Sequence, residues 1–166
     1  MCEILAPAGD SAAFYAAINS GADAVYLGLT DFSARRSAAN FSLENLRTHI
    51  GYAHALGVRV YVALNTLVKD GEVGRFFESA LGAWNAGADA LIIQDVFLGK
   101  LLKEAYPGMV LHLSTQAGVC NLYGARLAKR YGFSRVILAR EMPFESVAAI
   151  AKEIETEVFV QGALCT

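Results

Sequence analysis

Gly87-Ala88-Asp89-Ala90-Leu91-Ile92-Ile93-Gln94-Asp95 is the stretch whose reading decides the fold. Gly87 closes a helix by taking the left-handed conformation at low cost. Asp89 is a turn residue. Leu91, Ile92 and Ile93 form a short apolar run without alternation, as a parallel strand buried on both faces requires. Gln94 and Asp95 put polar groups where that strand leaves the core.

The pattern recurs at Gly21–Asp31 (GADAVYLGLTD), Gly57–Asn65 (GVRVYVALN) and Gly132–Glu141 (GFSRVILARE). Each copy follows a stretch with helical spacing and ends in polar residues. Repetition at roughly 30 to 45 residues marks stacked βα units. Ligands in such folds bind at the carboxyl ends of the strands.

Composition agrees. The 166 residues are 55% hydrophobic and only 18% charged, which suits strands covered on both faces. No apolar run approaches ~18 residues, so no membrane span is expected. The N-terminus, MCEILAPAGD, lacks the basic region and apolar run of a signal peptide. A net charge of −2 advertises no global basic field, so any basic site is local. Three cysteines without short spacing point to a reducing compartment, and a cytoplasmic location is expected.

In chain order, strands are expected at Glu3–Ala6, broken by Pro7-Ala8-Gly9, then at Asp23–Leu29, Val58–Leu64, Leu91–Ile93, Val110–Leu113, Arg135–Leu138 and Glu157–Val160. Helices between them start at Asp10 or Ser11, at Ser42, near Glu72, at Val96, near Leu122 and at Pro143. Leu43, Leu46, Ile50 and Ala53 are spaced to face inward. Strands alternating with helices define a parallel α/β architecture. A doubly wound sheet accepts any strand number, whereas a (βα)₈ barrel needs eight in about 250 residues. Pro7-Ala8-Gly9 is not the GxGxxG fingerprint of a dinucleotide fold. The expectation is an incomplete TIM-barrel-like fold of about seven strands and six helices. Residues 1–166 would form one N-terminal partial barrel domain of a longer protein. Open edges on such a barrel invite self-association.

Several segments carry a family resemblance together: Leu5-Ala6-Pro7-Ala8-Gly9, Gly21–Gly28, Phe32-Ser33-Ala34-Arg35 with Asn40-Phe41, Asn65-Thr66, Ser114-Thr115-Gln116, and Gly162-Ala163-Leu164-Cys165. In this order and spacing the chain resembles the N-terminal region of the collagenase-like peptidase family U-32. The family name implies proteolysis. Several members instead resemble accessory proteins for hydroxylation of transfer RNA, ribosomal RNA or ubiquinone precursors, with prephenate as a cosubstrate in some. The Phe32–Phe41 loop looks most like the ribosomal RNA branch. The resemblance implies a 4Fe-4S cluster whose first thiolate lies in a Gly-x-Leu-Cys segment, matched here by Cys165; the other three would lie downstream. Gln161 stands where many relatives carry histidine.

Beside the resemblance, the residues offer chemistry of their own. Arg35 and Arg36 follow the second strand, and guanidinium forks bind phosphates or carboxylates. Asn65, Gln94 and Gln116 end three strands with amides able to orient a substrate. Arg140 and Glu141 could form a rim ion pair. A peptidase needs a nucleophile with a base, or a metal-bound water. No HExxH or GxSxG is present, and His49, His54 and His112 do not lie at strand ends. Three readings follow: RNA hydroxylation first, then a collagenase-like peptidase, then a non-catalytic scaffold binding RNA or a partner.

Overall fold

The computed structural model describes residues 2–34 and 40–161. Seven strands alternate with six helices: β1 (Leu5–Ala8), α1 (Ser11–Asn19), β2 (Ala24–Gly28), α2 (Leu43–Ala55), β3 (Arg59–Leu64), α3 (Val73–Ala86), β4 (Ala90–Ile93), α4 (Val96–Ala105), β5 (Leu111–Leu113), α5 (Leu122–Arg130), β6 (Arg135–Ile137), α6 (Phe144–Ala151) and β7 (Glu155–Glu157). The strands are parallel and lie in sequential order. This is the βα architecture that the repeated glycine-led pattern demands. The chain divides into two compact units, Met1–Ile92 and Ile93–Thr166.

In the first unit, local chemistry sets the helix ends. The Asp10 side chain caps α1 by accepting the Ala13 N–H at 2.8 Å, and Ser42 caps α2 by accepting from Asn45 N. Gly87 ends α3 at φ 107°. Parallel register pairs Val25 with Val60 and Leu27 with Val62. Those residues, with Ala8 and Leu64, are buried on the face that α1 and α2 cover with Phe14, Ile18, Leu46, Ile50 and Ala53. The opposite face carries Tyr26 beside Tyr61. There the Tyr61 hydroxyl donates to the Glu3 carboxylate at 2.9 Å, and Glu3 also pairs with Arg59. Tyr26 therefore shares the polar face.

Two expectations fail in this unit. β1 does not stop at Pro7 but runs through it, with Pro7 opposite Tyr26. β1 ends the strand order, and a residue without an N–H is tolerated where only one side of the strand is paired. Leu43 is not inward-facing but 44% exposed. It is the first residue of α2, and its methyls lie across α3: a Cβ on Gly82 would come within 2.8 Å of Leu43 Cδ1. The inward place in the stripe goes to His49, which sits against the rings of Phe14 and Phe41.

In the second unit, the Asp95 carboxylate caps α4 by accepting the N–H groups of Phe97 and Leu98 at 2.9 Å. Gly99 lets the Phe133 ring approach; a Cβ there would lie 2.3 Å from Phe133 Cζ. Asn121 caps α5 through Gly124 N at 2.9 Å. β5, β6 and β7 pair in parallel register, His112 opposite Arg135 and Val136 opposite Thr156. The seventh strand is not Glu157–Val160 but Glu155–Glu157. The sequence draws attention to the apolar Val158 and Val160, yet both are exposed. Ion pairing decides the register instead. Arg135, with its side chain only 5% exposed, reaches Glu155 at 2.7 Å and Glu157 at 3.4 Å.

Candidate functional site

The site is built on the long loop after β2. Leu29 bridges Phe41 in parallel, Phe41 N donates to Gly28 O at 2.9 Å, and Thr30 N donates to Phe41 O at 3.1 Å. These bonds zip the two ends of the loop together, and Phe41 is buried as their anchor. Gly28 makes the closure sterically feasible. A Cβ there would lie 2.1 Å from Ser33 Oγ and 3.0 Å from Asn40 Oδ1. The bare α-carbon therefore seats two residues of the Phe32-Ser33-Ala34 … Asn40-Phe41 motif. Asn65, just past β3, accepts the Ala34 N–H at 3.2 Å and ties the loop to the next strand.

Phe32 takes φ 60°, in the left-handed region that bulky residues avoid. Its ring is held edge-on against the buried Phe76 of α3, at 5.7 Å and 87°. The guanidinium of Arg75 lies over the same ring, 5.8 Å from its centroid. Arg75 also reaches Glu72 at 3.5 Å. The second Glu72 oxygen accepts the Lys69 N–H at 3.0 Å, closing the turn into α3. Together these groups wall a cleft of about 350 Å³, lined by Thr30, Asp31, Phe32, Thr66, Glu72 and Arg75 among others. Hydroxyls, two carboxylates, one guanidinium and one ring thus converge beyond the carboxyl ends of β2 and β3.

The residues singled out from sequence are distributed unevenly about this geometry. Arg35, Arg36 and Cys165 lie outside the described residues. Asn65 belongs to the loop closure beside the cleft. In the second unit, the Gln94 amide donates to Gln116 O at 3.5 Å, so these two are brought together. Glu141 is exposed. Arg140 does not form the expected rim ion pair; among the described residues its contact is the Phe159 ring, 4.1 Å from guanidinium carbon to centroid. The sequence marks Asp31 as the polar end of the Gly21–Asp31 repeat and gives Glu72 and Arg75 no functional signal. Phe32, Ser33 and Thr66 belong to the motif segments, whereas lone charges at the start of a helix read as a solvated face.

The histidines are structural in character. His54 binds Asp89 at 2.8 Å, at the amino end of β4. His112 is buried within β5. His49 Nε2 lies 3.0 Å from Ser11 Oγ, and its Nδ1 lies 2.9 Å from Asn45 O. This resembles a nucleophile and base. However, the imidazole is enclosed by Phe14, Tyr15 and Phe41. The adjacent helix terminus is already capped by the Asp10 carboxylate, whose charge opposes an oxyanion. Among the described residues, no group of three or more His, Cys, Asp or Glu side chains could hold a metal ion. Cys2 and Cys120 are exposed free thiols, one before β1 and one after β5. No helix of the described residues is long and apolar enough to cross a membrane.

A polar cleft at strand ends on sequential parallel βα units defines the TIM-barrel-like class, whose ligand sites sit in the loops after the strands. Within that class the chain belongs to peptidase family U32, whose model matches residues 9–166. It is 38% identical to tRNA hydroxylation protein P of Escherichia coli (strain K12), over 98% of this chain and 37% of that protein. It is 37% identical to 23S rRNA 5-hydroxycytidine C2501 synthase of the same organism, over 98% of this chain and 25% of that one. A collagenase of Porphyromonas gingivalis is 33% identical, over 98% of this chain and 42% of its own length. The chain thus spans well under half the length of these relatives. The solved structure of the U32 peptidase Mk0906 superposes with a TM-score of 0.72 at 14% identity, over 95% of this chain and 67% of that one. At that identity the likeness speaks to fold alone.

Proposed function

We propose that this chain is the N-terminal part of a cytoplasmic protein that supports hydroxylation of ribosomal or transfer RNA. The observation that carries the reading is the identity, near two residues in five across 98% of the chain, to relatives named for RNA hydroxylation. The site's character agrees. A loop anchored at Gly28, Phe41 and Asn65 borders a polar cleft, and its sequence carries Arg35 and Arg36, whose guanidinium groups suit RNA phosphates. The alternative, peptidase chemistry, draws on the collagenase name of one relative. It finds little support in Ser11 and His49, which lie outside this cleft.

A 4Fe-4S cluster belongs to this proposal. Cysteine thiolates hold such clusters, four to a cluster. The described thiols, Cys2 and Cys120, do not converge on a metal-holding group. Cys165 would be one ligand, with three from sequence beyond this chain, and prephenate or a related acid would be a candidate cosubstrate.

The test is genetic and chemical. The gene is deleted, and total RNA is digested and analysed by mass spectrometry for loss of a hydroxylated nucleoside. The intact gene, and the same gene with Cys165→Ser, are then returned. Restoration by the first but not the second, with iron lost from the purified Cys165→Ser protein, supports the reading. An unchanged nucleoside profile on deletion, with gelatin cleaved by the purified protein, overturns it in favour of a peptidase.

A further inference from the structure

We propose that the cleft between the β2 loop and the start of α3 receives one nucleotide of single-stranded RNA: its ribose hydroxyls on Asp31, its phosphate on Arg75, its base against Phe32. The assignment rests on the RNA reading above and adds the groups that would recognise the polymer. The volume, about 350 Å³, is that of a small-ligand pocket. Its charge pattern narrows the ligand. Two carboxylates face one guanidinium, so a small dicarboxylic acid would be repelled. A diol is different, because hydroxyls donate to carboxylates, the contact by which acidic residues read a ribose. Glu72 is engaged on both oxygens, by Lys69 N and by Arg75. Asp31 is the exposed carboxylate of the cleft.

Arg75 supplies the complementary contact. Its side chain is 60% exposed, and its fork, which carries five N–H donors, touches Glu72 through one nitrogen at 3.5 Å. Phe32 supplies the third. Its left-handed backbone turns the ring to the cleft wall, where Phe76 braces it from behind. A backbone outlier retained beside a cleft by tight packing is where function is sought. Aromatic rings and guanidinium planes are the surfaces on which unpaired RNA bases stack. The 2′-hydroxyl, donating to Asp31, would distinguish RNA from DNA.

Fluorescence anisotropy on the full-length gene product tests the assignment, with a fluorescein-labelled mixed-sequence RNA 8-mer and the DNA 8-mer of the same sequence. Both side chains to be changed are exposed, and circular dichroism melts verify folding. The wild type should bind RNA more tightly than DNA. Arg75→Ala should weaken both about tenfold, with Arg75→Lys intermediate because it keeps the charge but loses the fork. Asp31→Ala should lower the RNA-to-DNA affinity ratio at least about threefold, since it removes the hydroxyl acceptor and a repulsive charge together. Wild-type RNA affinity in Arg75→Ala, with an unchanged ratio in Asp31→Ala, overturns the cleft assignment and leaves the RNA reading standing. Failure of the wild type to bind the RNA 8-mer, with no nucleoside lost on gene deletion, overturns both.

Discussion

Asp89 and Val60 are joined twice: the Asp89 carboxylate accepts the Val60 N–H at 2.7 Å, and the Asp89 N–H donates to Val60 O at 2.9 Å. Asp23 does the same two repeats earlier, with Ile4 N at 2.8 Å and Ile4 O at 3.0 Å. Ser134 stands at this position in a later copy and donates both its N–H and its hydroxyl to Leu111 O. The polar residue after each glycine-led helix stop thus pins the amino end of one strand to its predecessor. That is the structural use of the repeated Gly-Ala-Asp.

Asp89→Ala should therefore cost about 1.5–3 kcal/mol, the range for a hydrogen bond to a charged group. Asp89→Asn keeps an acceptor oxygen and should cost less. Urea unfolding measures both. If Asp89→Ala stayed within about 0.5 kcal/mol of wild type, as ordinary surface changes do, the aspartate would be a turn residue only.

Gly28→Ala should destabilise by about 1–3 kcal/mol, the usual cost of overpacking, because its Cβ would collide with Ser33 Oγ. Ser33→Gly removes the colliding atoms. The double variant should recover part of the loss, giving a coupling of about 0.5 kcal/mol or more. Additive effects in a thermal-melt cycle would mean the loop does not seat on Gly28.

Arg135 is buried between Glu155 and Glu157. Changing both glutamates to glutamine would take two carboxylates away from a buried guanidinium and should cost about 3–5 kcal/mol. Glu155→Gln alone should cost less, since Glu157 remains. A double variant as stable as wild type would show that the register of β7 does not depend on this pairing.

Arg126 holds the Glu153 carboxyl below the usual carboxylate range, first by a hydrogen bond and then by its charge. The folded chain then binds fewer protons than the unfolded chain between the two pKa values, so stability there rises with pH. The contribution is present at neutral pH and fades as acid is added through the lowered folded value. The pair is exposed, so the effect is small and screened by salt. Melting temperature followed from about pH 6 down to about pH 3 should fall less steeply in Arg126→Ala than in wild type. Parallel curves at low salt would dismiss the linkage.

The architecture was legible because its signals are local. Left-handed glycines at 21, 57, 87 and 132, caps at Asp10 and Ser42, and unalternating apolar runs each act within a few residues. Side-chain partners are not local, and there the sequence by itself determined little. Asp89 read as a turn residue because Val60, 29 positions away, is brought to it only by the parallel pairing of the strands. Pro7 looked like a breaker because its unpaired side is a property of strand order. Val158 to Val160 outweighed Glu155 to Glu157 in apolarity, yet a buried guanidinium on the neighbouring strand selects the charged segment. Arg140 sits on Phe159 rather than pairing with the adjacent Glu141 for the same kind of reason. The cleft is the extreme case. Asp31 and Phe32 are separated from Glu72 and Arg75 by some forty residues, and only the adjacency of β2 and β3, with Gly28 admitting the returning loop, places them around one space.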